Sequence, residues 1–533
     1  MAENPSSNVE KNKDQAIQRS GKITLKINGI TTQVDSGTTL LMAAEKLGLS
    51  IPTLCHNSEV EHFNSCMICL VKNNRNQKLI PSCSIAADEG MDITTFDEEI
   101  QEARQTGLEL LLSDHVGDCE APCTIACPAH MDIPIMNRLL AAGKFNEALE
   151  VVKQNIPLPS VLGHICPAPC EGACRRKPID GAVSICLLKR FAGDHGQYTE
   201  KPLPDTGHKV AIIGSGPAGL SAAYYLQLKG VQCVVFDKAS EAGGMLRTEI
   251  AEEKLPREVL NREIQAIAAL GVHFQLNTEI NKDTFAKIQQ DYNAVLIATG
   301  NITEELKYWG IEWFFKGLKA NEDTFQTTIE NVFAAGSVLR TSKLAIRSLA
   351  QGKEAATSIW QVINKQPIIG QPMRFNSKFG KLFASEYSEY LSESVEINRI
   401  EPRNGFLHGL SLDEVKQEAA RCMHCDCRKS TNCKLREYSD QYNAVQKRFS
   451  YEERKPVRKQ YHESIVYEPE KCIKCGICVR ITAKHQEKYG FTFIGRGFDV
   501  EIGVPFSESI NEGLRNIALK VADACPTGAL ARK

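Results

Sequence analysis

The sequence predicts a multidomain chain of mixed class, α+β toward its ends and α/β in its middle. Three observations predict it. The chain has 533 residues, several times the roughly 150 of an ordinary domain. Its 20 cysteines fall in tight blocks rather than scattered singly. From His208 the pattern changes to strand, glycine loop, helix and strand, which marks an α/β nucleotide-binding unit. Lys+Arg at 63 against Asp+Glu at 65 leaves a net charge of −2. That balance gives no support to a nucleic-acid or anionic-membrane partner. No stretch approaches the ~18 apolar residues of a membrane-spanning helix. The opening residues MAENPSSNVEKNKDQ lack the apolar core of a secretory signal, so a cytoplasmic, reducing setting is expected. Structural disulfides are rare there, and clustered cysteines read as metal sites.

Residues 1–21 are polar and without periodicity, a disordered tail by composition. KITLKI and ITTQV alternate as strands, and TTLLMAAEKLG reads as a short helix. Together with a Cys-bearing loop they form a small mixed domain over residues 22–97. Its Cys55, Cys66, Cys69 and Cys83 are spaced C-x10-C-x2-C-x13-C. Four soft thiolates suit zinc or an iron–sulfur cluster. Zinc sites favour two short pairs, and only one short pair occurs here. The spacing resembles the [2Fe–2S] domain at the front of the large iron–sulfur subunit of respiratory complex I and of [FeFe] hydrogenases. That resemblance implies a ferredoxin-like fold; a structural zinc is the alternative.

Residues 98–200 read as helical, with MNRLLAAGKFNEALEVVKQN as the clearest amphipathic part. HVGDCEAPCTIACP carries His115, Cys119, Cys123 and Cys127, and LGHICPAPCEGAC carries Cys166, Cys170 and Cys174, followed by Cys186. Seven cysteines and one histidine are enough for two [4Fe–4S] clusters. CPAPCEGAC followed by a glycine loop resembles the glutamate synthase small subunit and the N-terminal part of dihydropyrimidine dehydrogenase. The family's C-x2-C-x4-C-x3-C-P run is matched only at Cys123 and Cys127-Pro128; its first cysteine falls on His115. That start resembles instead the complex I cluster held by one histidine and three cysteines. A surface or helix-cap histidine is the alternative for His115. The family's eighth ligand, a Glu or Gln, falls on Lys189, whose ammonium has no lone pair to give. Cys186, about one helical turn earlier, is its expected replacement. The family's arrangement implies His115, Cys119, Cys123 and Cys174 for one cluster, and Cys127, Cys166, Cys170 and Cys186 for the other.

QYTEKPLPDTGH is a linker by its prolines and glycine. Residues 206–366 form the nucleotide-binding domain and close with a helix at 342–364. KVAIIGSGPAG places a buried strand before Gly214, Gly216 and Gly219, with Pro217 and Ala218 opening the helix. These glycines permit the turn, the approach of a pyrophosphate and helix–strand packing. Asp237, 18 residues past Gly219, stands where the ribose acid is expected. Gly243, Gly244, Leu246 and Arg247 of EAGGMLR, Thr299 and Gly300 of ATG, and Gly336 and Ser337 of NVFAAGSV resemble the FAD half of the glutamate synthase small subunit. They imply FAD. The family inserts an NADPH-binding domain between the last two segments. Only 35 residues separate Gly300 from Gly336, against the roughly 100 such a domain needs, and no second GxGxxG occurs. The family's Asp at the end of FAAGD is Ser337 here. A vestigial fold without cofactor is the alternative. Cys233, within a strand, reads as core filler.

Residues 367–445 read as a connector. Their composition assigns no element over 366–410, and a helix over 411–421 leads into Cys422, Cys425, Cys427 and Cys433, spaced C-x2-C-x-C-x5-C. Four thiolates in twelve residues are expected to share one [4Fe–4S] cluster, with zinc as the alternative. Residues 446–533 carry Cys472, Cys475 and Cys478 in ferredoxin spacing. Thr482 stands at the fourth position, and Cys525 of Cys-Pro-Thr-Gly supplies the missing thiol. This resembles the ferredoxin-like module of complex I and hydrogenases, reduced to one [4Fe–4S] cluster.

The expected cofactors are one FAD, one [2Fe–2S] and four [4Fe–4S] clusters. The function expected is an electron-transfer subunit of a cytoplasmic multi-subunit oxidoreductase in an anaerobe. Its expected partners are an NAD(H)/flavin subunit and a metal-dependent catalytic subunit. No catalytic acid–base constellation is evident. The alternatives are a glutamate synthase-type or self-sufficient flavoenzyme with its own small substrate, and a cluster-only scaffold with an empty flavin site.

Overall fold

A computed structural model describes residues 21–300, 302, 304–314, 317–449 and 454–533. The N-terminal tail expected over residues 1–21 lies, but for Gly21, outside them. The chain divides into two compact units. One gathers the described residues up to Cys119, Arg374–Glu389 and those from Cys427 onward; the other gathers Glu120–Met373 and Tyr390–Asp426. These units cut across two of the expected domains. The 98–200 segment is divided after Cys119, and the 367–445 connector contributes to both units. No local composition shift marks either division, because each is set by which distant segment the chain packs against.

In the first unit, Lys22–Ile27 and Ile30–Asp35 pair antiparallel, as the alternating patterns predict. They extend into a five-stranded mixed sheet through Asp92–Thr94, Leu70–Asn73 and Lys78–Pro81. Leu25, Ile27, Val71 and Ile93 form its core with Leu40 and Leu41 of the helix Leu40–Lys46. Thr39 caps that helix by accepting from the Met42 amide. The helix Glu98–Ser113 follows, capped by Asp97. At the C-terminal end, Ile465–Tyr467 pairs antiparallel with both Gln460–Tyr461 and Leu530–Arg532. Leu54, Ile68, Tyr467, Ile477, Val521 and Leu530 share one core, so this sheet and the loop of the first cysteine block fold around a common interior.

In the second unit, the amphipathic segment forms two helices, Ile133–Ala141 and Phe145–Lys153, broken where Gly143 takes φ +73°. The glycine-loop domain has a five-stranded parallel sheet. Its order is Val332–Ala334, Ala294–Ile297, Lys209–Ile213, Gln232–Phe236 and His273–Gln275. Residues between Gly300 and Val332 include a short antiparallel pairing of Trp313–Phe314 with Gly317–Leu318. The helix Ala345–Ile363 packs on Pro217–Leu228 so closely that a Cβ on Gly352 would lie 2.1 Å from the Ala218 carbonyl oxygen. Cys233 is buried in the core. Among the described residues, no helix is long and apolar enough to cross a membrane.

Candidate cluster and nucleotide sites

The four thiols of the first block meet on the loops beside the N-terminal sheet. Cys55 is hydrogen-bonded by Cys66 and Cys83, and Cys69 by Cys83. These bonds hold the Cys55 thiol far below its ordinary value and bring Cys69 to about 7. Cys66 and Cys83, the donors, are pushed up. The four sulfurs are thus in mutual contact, as ligands of one centre must be.

Cys472, Cys475, Cys478 and Cys525 line one narrow space. The Lys474 amide donates to the Cys472 sulfur at 3.3 Å, and positive φ at Lys474 and Gly476 turns the loop around the space. Thr482, at the position of the absent fourth cysteine, is buried. Its hydroxyl donates to the Val479 carbonyl and accepts from the Phe491 amide. It is a structural hydroxyl, and Cys525 reaches the space from the other end of the segment. Arg480 joins this set to the first block by donating to the carbonyls of both Cys55 and Cys475.

In the second unit, Cys166 and Cys170 both hydrogen-bond Cys186. Cys186 opens the helix Ile185–His195, its amide held by Glu171, which Arg399 clamps. Lys189 lies one turn further on, 3 % exposed, with its Nζ 3.9 Å from the Cys186 sulfur. Burial by itself would depress this ammonium. The charges of Cys186, Cys166, Cys170 and Cys127 outweigh burial and hold it above its ordinary value. Lys189 thus faces the thiols that the sequence reading groups together.

The other expected groupings meet different neighbours. Cys123 and Cys174 line a narrow space with Cys422 and Cys425. In the first unit, the Cys427 amide donates to the Cys119 carbonyl at 3.2 Å, and Cys433 feels the charges of Cys427 and Cys119. Cys422 and Cys425 thus have Cys123 and Cys174 as neighbours, and Cys427 and Cys433 have Cys119. The short spacings suggested shared sites. Partners some 250–310 residues distant in sequence override them, and no local spacing reports such pairings. His115 is half-buried beside Lys471. Burial, then the Lys471 charge, brings its ring down to about 4, so it is neutral at pH 7. Among the described residues, no three His, Cys, Asp or Glu side chains converge as a single metal ion requires; the thiols line shared spaces instead.

The glycine loop builds the second kind of site. Gly214 takes φ +110°, and a Cβ there would meet the Ala298 carbonyl oxygen at 2.3 Å. At Gly219 it would lie 1.9 Å from the Gly214 carbonyl oxygen, so the helix Pro217–Leu228 can approach the strand only without a side chain. At Gly216 a Cβ would meet nothing within 4 Å; the room lies in front of the helix N-terminus, where a phosphate fits. Gly244 and Gly336, both at positive φ, come back to this loop. Their Cβ positions fall 2.9 Å from the Gly216 Cα and 3.0 Å from the Ala218 Cβ. An opening of about 730 Å³ continues past Gly214, Asp237, Thr278, Thr299 and Trp309, and the buried Thr299 hydroxyl has no partner. These features fit a dinucleotide. Asp237 is held in place by Ser215, whose amide and hydroxyl donate to one of its oxygens at 2.7 and 2.6 Å. Leu246 is buried, Arg247 bonds Asn261 and the Ala242 carbonyl, and Ser337 donates to the Ser342 carbonyl.

Four family models match the chain in consecutive segments. Residues 20–98 match a 2Fe-2S iron-sulfur cluster binding domain. Residues 92–201 match dihydropyrimidine dehydrogenase domain II, 4Fe-4S cluster. Residues 212–278 match an NAD(P)-binding Rossmann-like domain, and residues 463–531 match the ferredoxin-like domain of NADH-quinone oxidoreductase subunit 3. The chain is 41% identical over 207 residues to the NADPH-Fe(3+) oxidoreductase subunit beta of Geobacter sulfurreducens, covering 37% of this chain and 30% of that one. It is 42% identical over 207 residues to the NADP(+)-dependent formate dehydrogenase subunit beta of Moorella thermoacetica, covering 34% and 29%. It is 37% identical over 211 residues to the glutamate synthase [NADPH] small chain of Escherichia coli, covering 38% and 45%. The chain thus spans less than half the length of each of these curated relatives. Fold and sites together define a multidomain chain with iron–sulfur-type cysteine sites and a dinucleotide-binding domain. More particularly, it is similar to the glutamate synthase small chain. A [2Fe–2S] domain stands in front of its helical 4Fe–4S domain, and a ferredoxin-like domain ends the chain.

Proposed function

We propose that this chain is an electron-transfer subunit of a cytoplasmic, multi-subunit oxidoreductase linked to NAD(P)(H), carrying one FAD, one [2Fe–2S] and four [4Fe–4S] clusters. The observation that carries the reading is the gathering of ligands. Fifteen of the 20 cysteines fall into sets that line a common space or hydrogen-bond one another; Cys127 acts with one of these sets on Lys189, and Cys119 and Cys427 act by their charge on Cys433. Neighbouring sets are also linked: Arg480 bridges the Cys55 and Cys475 carbonyls. Such a succession suits one-electron steps from centre to centre. FAD bound at the glycine loop would join one-electron to two-electron transfer. The free state of all 20 cysteines suits a reducing compartment.

For the dinucleotide, Gly214, Gly216 and Gly219 leave room for the pyrophosphate, and Asp237, held on Ser215, faces the adenosine end. FAD is favoured over NAD(P) because the segments of Gly244 and Gly336 also return to this loop. No second glycine fingerprint exists by which a hydride donor would enter. The names of the Geobacter and Moorella relatives, each a beta subunit of an NADP(H)-linked oxidoreductase, support an NAD(P)-linked complex; in this reading another subunit handles the nucleotide and a metal-dependent subunit the terminal substrate. The test is made on the anoxically purified chain, which should contain about 18 iron atoms, the sum for one two-iron and four four-iron clusters. Dithionite should bleach it, while NADH and NADPH should not until a partner subunit is added. Rapid bleaching of the chain alone by NADPH would favour a self-sufficient flavoenzyme and overturn the subunit reading.

A further inference from the structure

We propose that the block Cys422–Cys433 serves two centres rather than one. Cys422 and Cys425 complete a four-thiolate centre with Cys123 and Cys174, and Cys427 and Cys433 complete another with Cys119 and the His115 imidazole. The proposal rests on the reading that these groups hold four-iron clusters, and it assigns which chain segments share each one.

The first centre is assembled by a buried ionic lattice. Arg176, two residues after Cys174, donates to the carbonyl of Arg421, the residue before Cys422. Both guanidinium groups bond the Asp180 carboxylate. Glu418 accepts from Arg421, from the Ser184 amide and from the Ile400 amide. Arg176, Arg421 and Glu418 are at most 1 % exposed. A buried charged lattice is costly unless every member is satisfied, and here each is. Its consequence is local: the peptide leading into Cys422 is fixed against the loop leaving Cys174. The Asn137 amide hydrogen-bonds the Cys422 thiol, and Arg138, next on the same helix, pairs with Asp426 at 2.6 Å. Cys422 and Cys425 are thereby held at the space that Cys123 lines from the helix Pro122–Ala126.

The second centre is assembled by hydrogen bonds to backbone. Ser377 holds Cys119 from both sides: its carbonyl accepts from the Cys119 amide, and its amide donates to the Cys119 sulfur at 3.4 Å. The loop after Cys427 lies on the Cys525–Gly528 turn, because Lys429 donates to the carbonyls of Ala522 and Cys525, and the Lys434 amide to that of Pro526. The Cys427 sulfur sits 2.3 Å from where a Gly528 Cβ would be, so residue 528 must be glycine for this thiol to have its place. His115 enters from the other side of Lys471. The amide of Val116 donates to the Glu470 carbonyl, and Gly117 lies against the Lys471 stem, which also passes Gly528. The Nδ1 of His115 is shielded from solvent and has no hydrogen-bond partner. A buried ring nitrogen without a partner is costly, and a metal bond satisfies it. A single residue, Asp426, separates a ligand of one centre from a ligand of the other.

Paired alanine substitutions distinguish this grouping from one cluster per sequence block. The double variant of Cys123→Ala and Cys422→Ala should lose about four iron atoms, no more than either single variant, because both ligands serve one cluster. The double variant of Cys422→Ala and Cys433→Ala should lose about eight. If the block holds a single cluster, the two losses are exchanged, and that result overturns the proposal. Retention of the [2Fe–2S] EPR signal shows that each variant has folded; a variant that loses it is replaced by its serine counterpart in the same comparison. Pulsed EPR of the dithionite-reduced protein should show imidazole nitrogen coupling that disappears in Cys433→Ala and in His115→Cys. Coupling absent from the parent protein, or retained in His115→Cys, removes His115 from the ligand set. Stoichiometric zinc with iron near ten or below in the parent protein would instead reject the cluster reading itself.

Discussion

Replacing Lys189 should lower the reduction potential of the cluster at Cys127, Cys166, Cys170 and Cys186 without removing its iron. The ammonium is buried and stands 3.9 Å from the Cys186 sulfur, and the surrounding thiols keep it protonated. Reduction adds one negative charge to the cluster, which the ammonium stabilises. Taking ~7 Å from the ammonium to the cluster centre and an effective dielectric of about 20, one unit charge contributes about 2.4 kcal/mol. For a one-electron couple at 59 mV per tenfold change, that is about 100 mV. Lys189→Met and Lys189→Gln should therefore each shift one EPR-detected midpoint downward by about 100 mV and leave the others unmoved. Agreement between the two variants would identify the charge, not the packing, as the cause. Unchanged midpoints with full iron content would refute the argument. Loss of the cluster in both variants would make Lys189 part of its holding structure.

Three further outcomes follow from the same geometry. Cys186→Ser should cost about four iron atoms and abolish one [4Fe–4S] signal while sparing the [2Fe–2S] signal; iron analysis with EPR decides it, and unchanged iron would exclude Cys186 as a ligand. Gly216→Val should release the flavin and leave the iron, since the side chain would fill the room before the helix N-terminus; chromatography of the chromophore freed by denaturation measures it, and retention near one FAD per chain would place the phosphates elsewhere. Gly352→Ala should destabilise the glycine-loop domain by about 1–3 kcal/mol, because its Cβ would press on the Ala218 carbonyl; denaturant unfolding followed by flavin fluorescence reports it, and an unchanged midpoint would show that the two helices can part at little cost.

How much of this was legible in the sequence depends on the range over which each feature is fixed. KITLKI and ITTQV pair in the register their alternation implies, because period-2 patterning is local. The glycine loop was equally legible, since three glycines and an acid within one strand–helix–strand unit specify their own geometry. Cys55, Cys66, Cys69 and Cys83 lie within one small domain and could be grouped by spacing alone. So could Cys472, Cys475 and Cys478, and Cys525 was recovered only because a ferredoxin run lacked its fourth member. Proximity in sequence misled where tertiary structure sets the partners. Cys425 and Cys427 are adjacent ligands in the text, yet the contacts of Arg421 with Asp180 and of Lys429 with the Cys525 carbonyl carry their flanks to different surroundings. Nothing in the spacing of CMHCDC records those contacts. Even so, each arginine and lysine that fixes a flank stands within two residues of a cysteine: Arg176 after Cys174, Arg421 before Cys422, Lys429 after Cys427 and Lys471 before Cys472. A charged side chain beside a ligand can be surface decoration or a buried strut. Its burial, which periodicity cannot reveal in such irregular loops, separates the two. The legible part of the sites was therefore which side chains are candidate ligands, and the hidden part was the lattice that sets which of them become neighbours.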